Sequence, residues 1–503
     1  MEVISGDEFR RKQQQGEGKP IIHTDFRGKK IVAIGSRVVG GDWITFHDFL
    51  MDFFKKILEQ AWGQKAFSGA TKNLHPMITF YRKLRKKLGE KSNIKSFKDS
   101  SGIVSAKCNG ESRCFLNFAY SLYIISHNSE LSKKFLKRLQ YNDQFWGAYY
   151  EAYITCILIR AGFEIAFEDE SDSSKSHGEL IATDPKTGNR YWVEAKFKLS
   201  DELLGKKQKS EEVNFQPIRT KIYKALKKET NLERIVFIEV CKPNLPKIDD
   251  DPFWYPELKK LVQNLELEDI DGKPAPEAIL VFTSQDLFCG LSNLTYNTYV
   301  YSEGFKKGGY GSDVCPATWD EALALRNKYQ YVKRIMDSFK NFEIPATFDG
   351  QIPEFAFNPE LNKQRLIIGN QYLVPTDEGK EVVGTLRQAL VIPGKENSCT
   401  CVFDIDGSSS ICNIPLSDEE MIAYNSYPDT FFGEYEKVDH NATSPFDLYD
   451  MMCKSYKNTS KEKLLEFMNA SDDTELSQKS QQELLEMYAR GMATSMWNTA
   501  HKN

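Results

Sequence analysis

The chain has 503 residues, a formal net charge of −5, 41% hydrophobic residues and 12% aromatic residues. Its 32 Phe and 23 Tyr exclude broad disorder, and its mild acidity excludes a globally basic nucleic-acid coat, though basic residues gathered in one groove stay compatible with it. No apolar run reaches the ~20 residues of a membrane helix, the polar start lacks a signal-peptide core, and ten cysteines without framework spacing predict a reduced, cytoplasmic protein.

Residues 1–20 read as a frayed start. Residues 29–34 (KKIVAI) read as a strand, and the glycines that follow, Gly35, Gly40 and Gly41, lack the GxGxxG spacing of a phosphate loop. Residues 45–62 read as an amphipathic helix with a Phe-rich core face, Thr45 as cap and Asp48 at the capping-box position. Residues 75–88 read as a basic helix carrying Arg82, Lys83, Arg85, Lys86 and Lys87, either a solvated face or a phosphate contact. Two more helices, over 115–127 and 131–139, complete a mainly helical domain over residues 1–135.

Residues 142–161 form a mostly apolar helical stretch, with Asn142 or Asp143 as N-cap and Gly162 as its stop. A strand over 163–167 follows, then a polar, acidic loop over 168–176. Residues 179–183 and 190–198 read as two strands joined by the turn 184–189, where Pro185 and Gly188 punctuate. Side chains alternate along a strand. Tyr191, Val193, Ala195 and Phe197 therefore share one face, and Trp192, Glu194, Lys196 and Lys198 share the other. Glu179, on the neighbouring strand, is within reach of the second face. Two carboxylates converging from adjacent strands suit a hard divalent cation, and a lysine beside one of them suits charge stabilisation on a phosphate. Glu194 with Lys196 alone is equally the pattern of a surface pair. The segment around Lys206, Lys207 and Lys209, with the helix 216–229, is the most basic part of the chain. Residues 234–240 and 277–283 read as buried strands, 295–302 as an edge strand, and 319–342 as one long helix. Asp249, Asp250 and Asp251 read as a solvated linker.

The order helix, three strands, helix, strand resembles the PD-(D/E)xK nuclease superfamily, which includes many restriction endonucleases and junction resolvases. Gly147, Glu151, Gly162 and Phe163 match its first-helix pattern, Glu179 stands where the family's metal-binding Asp opens the second strand, and Glu194-Ala195-Lys196 matches its acid-x-Lys motif. The family's Pro-Asp is Gly178-Glu179 here. The resemblance implies an αβββαβ restriction-endonuclease-like core over residues 136–342. It implies Mg²⁺ or Mn²⁺ held by Glu179 and Glu194, with Glu151 supporting a second ion or its water shell. Lys196 then orients the attacking water and steadies the developing charge. Asp172 and Asp184 are substitute ligands, and Gln216, Arg219 and Lys198 are candidate nucleic-acid contacts. The expected activity is metal-dependent hydrolysis of phosphodiester bonds, with double-stranded DNA as substrate. A homodimer, a regulatory partner or ligand on the flanking domains, and a role in anti-invader defence are further expectations. The alternative is a catalytically degenerate nuclease fold acting as a nucleic-acid-binding or scaffold protein, which Glu179 in place of Asp keeps open.

From residue 343 to 440, short strands over 365–368, 381–383, 388–392, 401–405 and 410–414 predict a small β-barrel or sandwich. Cys399, Cys401 and Cys412 lack an evident fourth ligand for zinc. Residues 441–503 read as a helical tail.

Overall fold

The computed structural model describes residues 3–68, 74–89, 103, 108–168, 178–197, 215–241, 252, 254–285, 298–310, 318–375, 379–392, 397–436, 442 and 444–500. Expectations placed on Asp172, Lys198, Lys206, Lys207, Lys209 and residues 249–251 lie outside the described residues. The chain divides into two compact units, one of residues 4–314 with 325–435, the other of residues 1–3, 315–324 and 436–503.

In the larger unit the start does not fray: Gly6–Gln15 is a helix, α1. Its residues are polar, so its anchoring is tertiary. Arg10, Gln14 and Gln15 are buried, the Arg10 guanidinium lies 4.6 Å from the Tyr427 ring centroid, and the Gln14 carbonyl accepts from the Tyr120 hydroxyl at 2.9 Å. Strands His23–Phe26 (β1), Lys29–Ile34 (β2) and Arg37–Gly41 (β3) form an antiparallel meander. Helix α2, Phe46–Ile57, opens on a reciprocal capping box in which Asp48 serves where Glu or Gln is usual. It is shorter than expected, because Glu59 turns to φ +67 before helix α3, Gln60–Ser68.

Helices Pro76–Gly89 (α4), Gly110–Asn128 (α5), Lys133–Gln140 (α6) and Phe145–Arg160 (α7) follow. One aromatic-rich core joins them, including Phe46, Phe118, Phe145 and Tyr149. Phe135, at the expected edge of the N-terminal domain, belongs to that core. Helix α7 is buried on every side after Gly147, which accounts for its all-round apolar sequence. Its N-cap is Gln144, without a side-chain bond, rather than Asn142 or Asp143. At its end the Gly162 N–H donates to the Ile159 carbonyl at 2.9 Å and the Phe163 N–H to the Leu158 carbonyl at 3.0 Å. With Gly162 at φ +88, this is a Schellman stop.

The central sheet has six strands: Glu164–Phe167 (β4), Leu180–Thr183 (β5), Arg190–Lys196 (β6), Glu233–Glu239 (β7), Ala278–Gln285 (β8) and Thr298–Phe305 (β9). Their spatial order is β9-β8-β7-β6-β5-β4. Strands β4, β5 and β6 run antiparallel in sequence. Helix α8, Gln216–Lys227, then crosses so that β7 pairs parallel to β6. β8 continues parallel and β9 closes antiparallel. Tyr191, Val193, Ile235, Phe237 and Val281 pack on the α7 face. Val236, Ile238, Leu280 and Phe282 pack on the other, with α8 and helix α9, Tyr255–Glu266. The sheet is thus covered on both faces, the arrangement that nearly continuous apolar strands require.

The single helix expected over 319–342 is two, Trp319–Lys328 and Gln330–Lys340, parted where Tyr329 leaves helical geometry at φ −106, ψ 13. Strands Gln371–Pro375 (β10), Glu381–Val391 (β11), Ser398–Ile405 (β12) and Ser408–Pro415 (β13) form an open antiparallel sheet in that order, not a barrel or sandwich. Residues 365–368 are not a strand. Residues 381–383 and 388–391 belong to one long strand, whose register slips between Leu386 and Gln388. Asp406 and Gly407, at φ +49 and +83, make the two-residue hairpin turn that lets β12 and β13 pair.

In the smaller unit, helices Pro445–Ser455, Lys461–Phe467 and Gln481–Ala500 carry the chain. Tyr449, Met452, Ala489 and Ala493 form one of its apolar clusters, with Trp319 and Leu323 against it. Among the described residues no helix is long and apolar enough to cross a membrane.

Candidate active site

Strand β6 carries the site through its alternation. Tyr191, Val193 and Ala195 face the core beneath α7, so Glu194 and Lys196 project from the opposite side. Glu179 precedes β5 and extends its ladder, its N–H donating to the Val193 carbonyl at 3.0 Å. That pairing brings it beside Lys196, whose Nζ lies 3.6 Å from Glu179 Oε1 and in direct ion-pair contact with Glu194 Oε1. Glu151, from α7, reaches the same neighbourhood. Four residues expected together on sequence grounds, Glu151, Glu179, Glu194 and Lys196, are therefore neighbours.

Two cations join them that the sequence did not single out. Arg138, on α6, grips Glu151 with both prongs, Nη1 to Oε2 at 2.8 Å and Nη2 to Oε1 at 2.5 Å. Its Nη1 also lies 3.8 Å from Glu179 Oε2. Lys228, just past α8, donates to Glu194 Oε1 at 2.6 Å. Carboxylates and cations thus alternate in the order Glu151, Arg138, Glu179, Lys196, Glu194, Lys228. Three formal charges of each sign cancel along this row.

Burial sets the electrostatics. Glu194 is fully buried, and its second oxygen, Oε2, has no hydrogen-bond partner among the described residues. Burial raises the pKa of Glu151 to about 8, helped by the Glu179 carboxylate and opposed by Arg138. Glu179 is raised for the same first reason, with Glu194 adding and Lys196 and Arg138 subtracting. For Lys196, burial works against the charged form, but Glu194 and Glu179 outweigh it and hold the ammonium above its ordinary range. The two carboxylates thus favour the ammonium form of Lys196.

Gly178, where the resembling family has proline, has a local cause. A Cβ there would meet Trp192 Nε1 at 2.6 Å and the Val193 carbonyl at 3.0 Å. Its N–H also donates to the Glu168 carboxylate. Proline would clash and lose that bond.

The remaining expectations spread apart. Asp184 follows β5, at the end opposite Glu179, and is ion-paired with Arg334 while its other oxygen caps the Lys186 N–H at 3.0 Å. It is a turn and packing residue, not a substitute ligand. Arg219 is paired with Glu268, and Gln216 opens α8 on an exposed face. Cys399 and Cys401 are buried with sulfurs 3.4 Å apart, and Cys412 sits opposite Cys401 across β12–β13.

Among the described residues no three His, Cys, Asp or Glu side chains converge as one metal group. Mg²⁺ requires less than that, since one or two carboxylates with waters and substrate phosphate suffice. Glu179 and Glu194 supply two, and the buried Glu194 Oε2 is an oxygen donor without a hydrogen-bond partner among the described residues. These two residues fit such an ion, whereas both oxygens of Glu151 are taken by Arg138. A cavity of about 170 Å³ lies on the Glu151–Glu179 side of the row, lined by Lys134, Arg138, Glu151, Glu168 and Glu179 among others but not by Glu194 or Lys196. No family model, curated protein or solved structure matches this chain.

Proposed function

We propose that this chain is a metal-dependent nuclease of the PD-(D/E)xK kind, hydrolysing phosphodiester bonds in DNA. The observation that carries the reading is the meeting of Glu179, Glu194 and Lys196 at one end of two adjacent strands, beside the helix acid Glu151. The helix–three strands–helix–strand order of α7, β4, β5, β6, α8 and β7, with β6 and β7 parallel, supports it.

Glu179 and Glu194 are the residues that hold the cation, which supplies charge neutralisation at the phosphate and a more acidic water. Lys196, fixed between the two carboxylates and held charged, directs its ammonium at the negative charge that builds on the phosphoryl oxygens. Lys228 neutralises Glu194 from the other side and keeps its carboxylate in place. Desolvation strengthens each of these contacts.

A second reading, a silent nuclease fold that binds nucleic acid or scaffolds other proteins, draws on one observation: three cations already neutralise the three carboxylates. Incubation of the full chain with linear and supercoiled double-stranded DNA, single-stranded DNA and RNA, with Mg²⁺, Mn²⁺ or EDTA, separates the two. Metal-dependent cutting of DNA by the wild type, lowered about a hundredfold or more in Lys196→Ala, is the expected result. Equal cutting by both proteins overturns the mechanism, and no cutting of any substrate favours the silent fold.

A further inference from the structure

Arg138 belongs to α6, outside the helix and strand set of the proposed nuclease core, and yet it occupies the centre of the acidic side of the site. Its guanidinium takes both oxygens of Glu151 and approaches Glu179 at 3.8 Å. Counted by formal charge the row of six groups is neutral, and it is largely desolvated. Adding a divalent cation to it would leave two uncompensated positive charges in a low-dielectric place, which is costly unless a protein cation withdraws. Lys196 is tethered to a strand paired on both sides, and its ammonium bridges the two candidate ligands. Arg138 has a long side chain on a short helix, 24% exposed, and it lines the adjoining cavity of about 170 Å³. It has somewhere to go.

Resting on the nuclease reading above, we propose that Arg138 is a further functional residue of the site. It is the counter-ion of Glu151 and Glu179 in the metal-free chain, and a phosphate contact once a divalent cation takes its place beside Glu179. The fork of a guanidinium matches two carboxylate oxygens and two phosphate oxygens equally well, so the same group serves both states. Lys134 and Glu168 line the same cavity and contribute one formal charge of each sign, so Arg138 is the group there with a fork for phosphate.

Two binding measurements on the full chain test this without cleavage as the readout. Calorimetric titration with Mn²⁺ alone is expected to show Arg138→Gln binding the ion about tenfold more tightly than the wild type, because the competing charge is gone. Binding of a short DNA duplex in Ca²⁺ is expected to weaken about tenfold in the same variant, because a phosphate contact is gone. A merely structural role would weaken both. Arg138→Lys, which keeps the charge and loses the fork, is expected to hold Mn²⁺ near the wild-type affinity and to fall between the others in DNA binding. It also serves if the Gln variant fails to fold. Wild-type Mn²⁺ binding that is lost in Glu194→Gln but not tightened in Arg138→Gln, or in the Lys variant unchanged together with unchanged DNA binding, overturns the role of Arg138 alone. Absence of Mn²⁺ binding in every protein overturns the nuclease reading and this inference with it.

Discussion

Two fully buried glutamates stand on neighbouring central strands, Glu194 on β6 and Glu239 on β7, and they are satisfied in opposite ways. Glu239 meets only neutral donors. Its Oε1 accepts from the N–H groups of Cys241 and Gln285, each at 3.1 Å, and its Oε2 from the Thr283 hydroxyl at 2.7 Å and the Gln285 amide at 3.4 Å. Tyr150 Oη completes the network, 2.7 Å from Thr283 Oγ1. Glu194 meets two ammonium groups through one oxygen and leaves the other unpartnered. The first is a closed network with every acceptor used, which makes it a fastening. The second is open and charge-balanced, which makes it exchangeable. Burial of a carboxylate alone does not separate these cases; the chemistry of its partners does.

Lys196→Ala is expected to lower Mg²⁺-dependent DNA cleavage about 10²–10³-fold. Its thermal midpoint should stay near wild type, since Lys228 still neutralises Glu194. Circular dichroism melting beside a cleavage assay checks both halves. Glu239→Gln should do the reverse. It puts an amide where four donors seek acceptors, and a loss of about 2 kcal/mol in urea unfolding is expected, with Mn²⁺ affinity unchanged by calorimetry. Lys228→Gln is expected to cut cleavage roughly tenfold, the scale of an outer partner of a ligand. An effect as large as that of Lys196→Ala would make the two lysines equivalent and remove the asymmetry argued above.

The smallest expected effect is a pH dependence. Burial pushes Glu239 from an ordinary 4.5 up to about 7, against the pull of its donors. The folded chain then binds a proton between those values that the unfolded chain does not. This contribution to stability is full below about 4.5 and lost as pH rises through about 7. The stability gap between wild type and Glu239→Gln should therefore narrow steadily from pH 5 to pH 8. A gap that widens in paired urea titrations contradicts the assignment.

Much of the central layer was legible because its signals are local. Alternation along 190–196 put Glu194 and Lys196 on one face, and Gly162 marked the end of α7 because the stop needs a left-handed residue. Arg138 and Lys228 were not legible. Each sits in a run of basic residues, KKFLKR and KALKK, and only the tertiary fold decides which cation meets a buried acid. Glu239 was hidden inside an apolar strand for the same reason. Helix α1 was missed because its residues are polar and its stability comes from partners far along the chain, Tyr120 and Tyr427 among them. The long strand β11 was split in two by reading its bulge as a turn.

The contact between Gly178 and Trp192 constrains the order in which this sequence can change. A side chain at 178 has no room until 192 becomes smaller. Yet Trp192 also carries the ammonium of Lys228 above its ring, 5.8 Å from the centroid, and Lys228 holds Glu194. Any larger residue at 178 would thus require a change at position 192 first, which would disturb the cation at Glu194 on the way. Gly178 and Trp192 are therefore coupled by packing, and a single-site library at 178 should return little but glycine while 192 stays tryptophan.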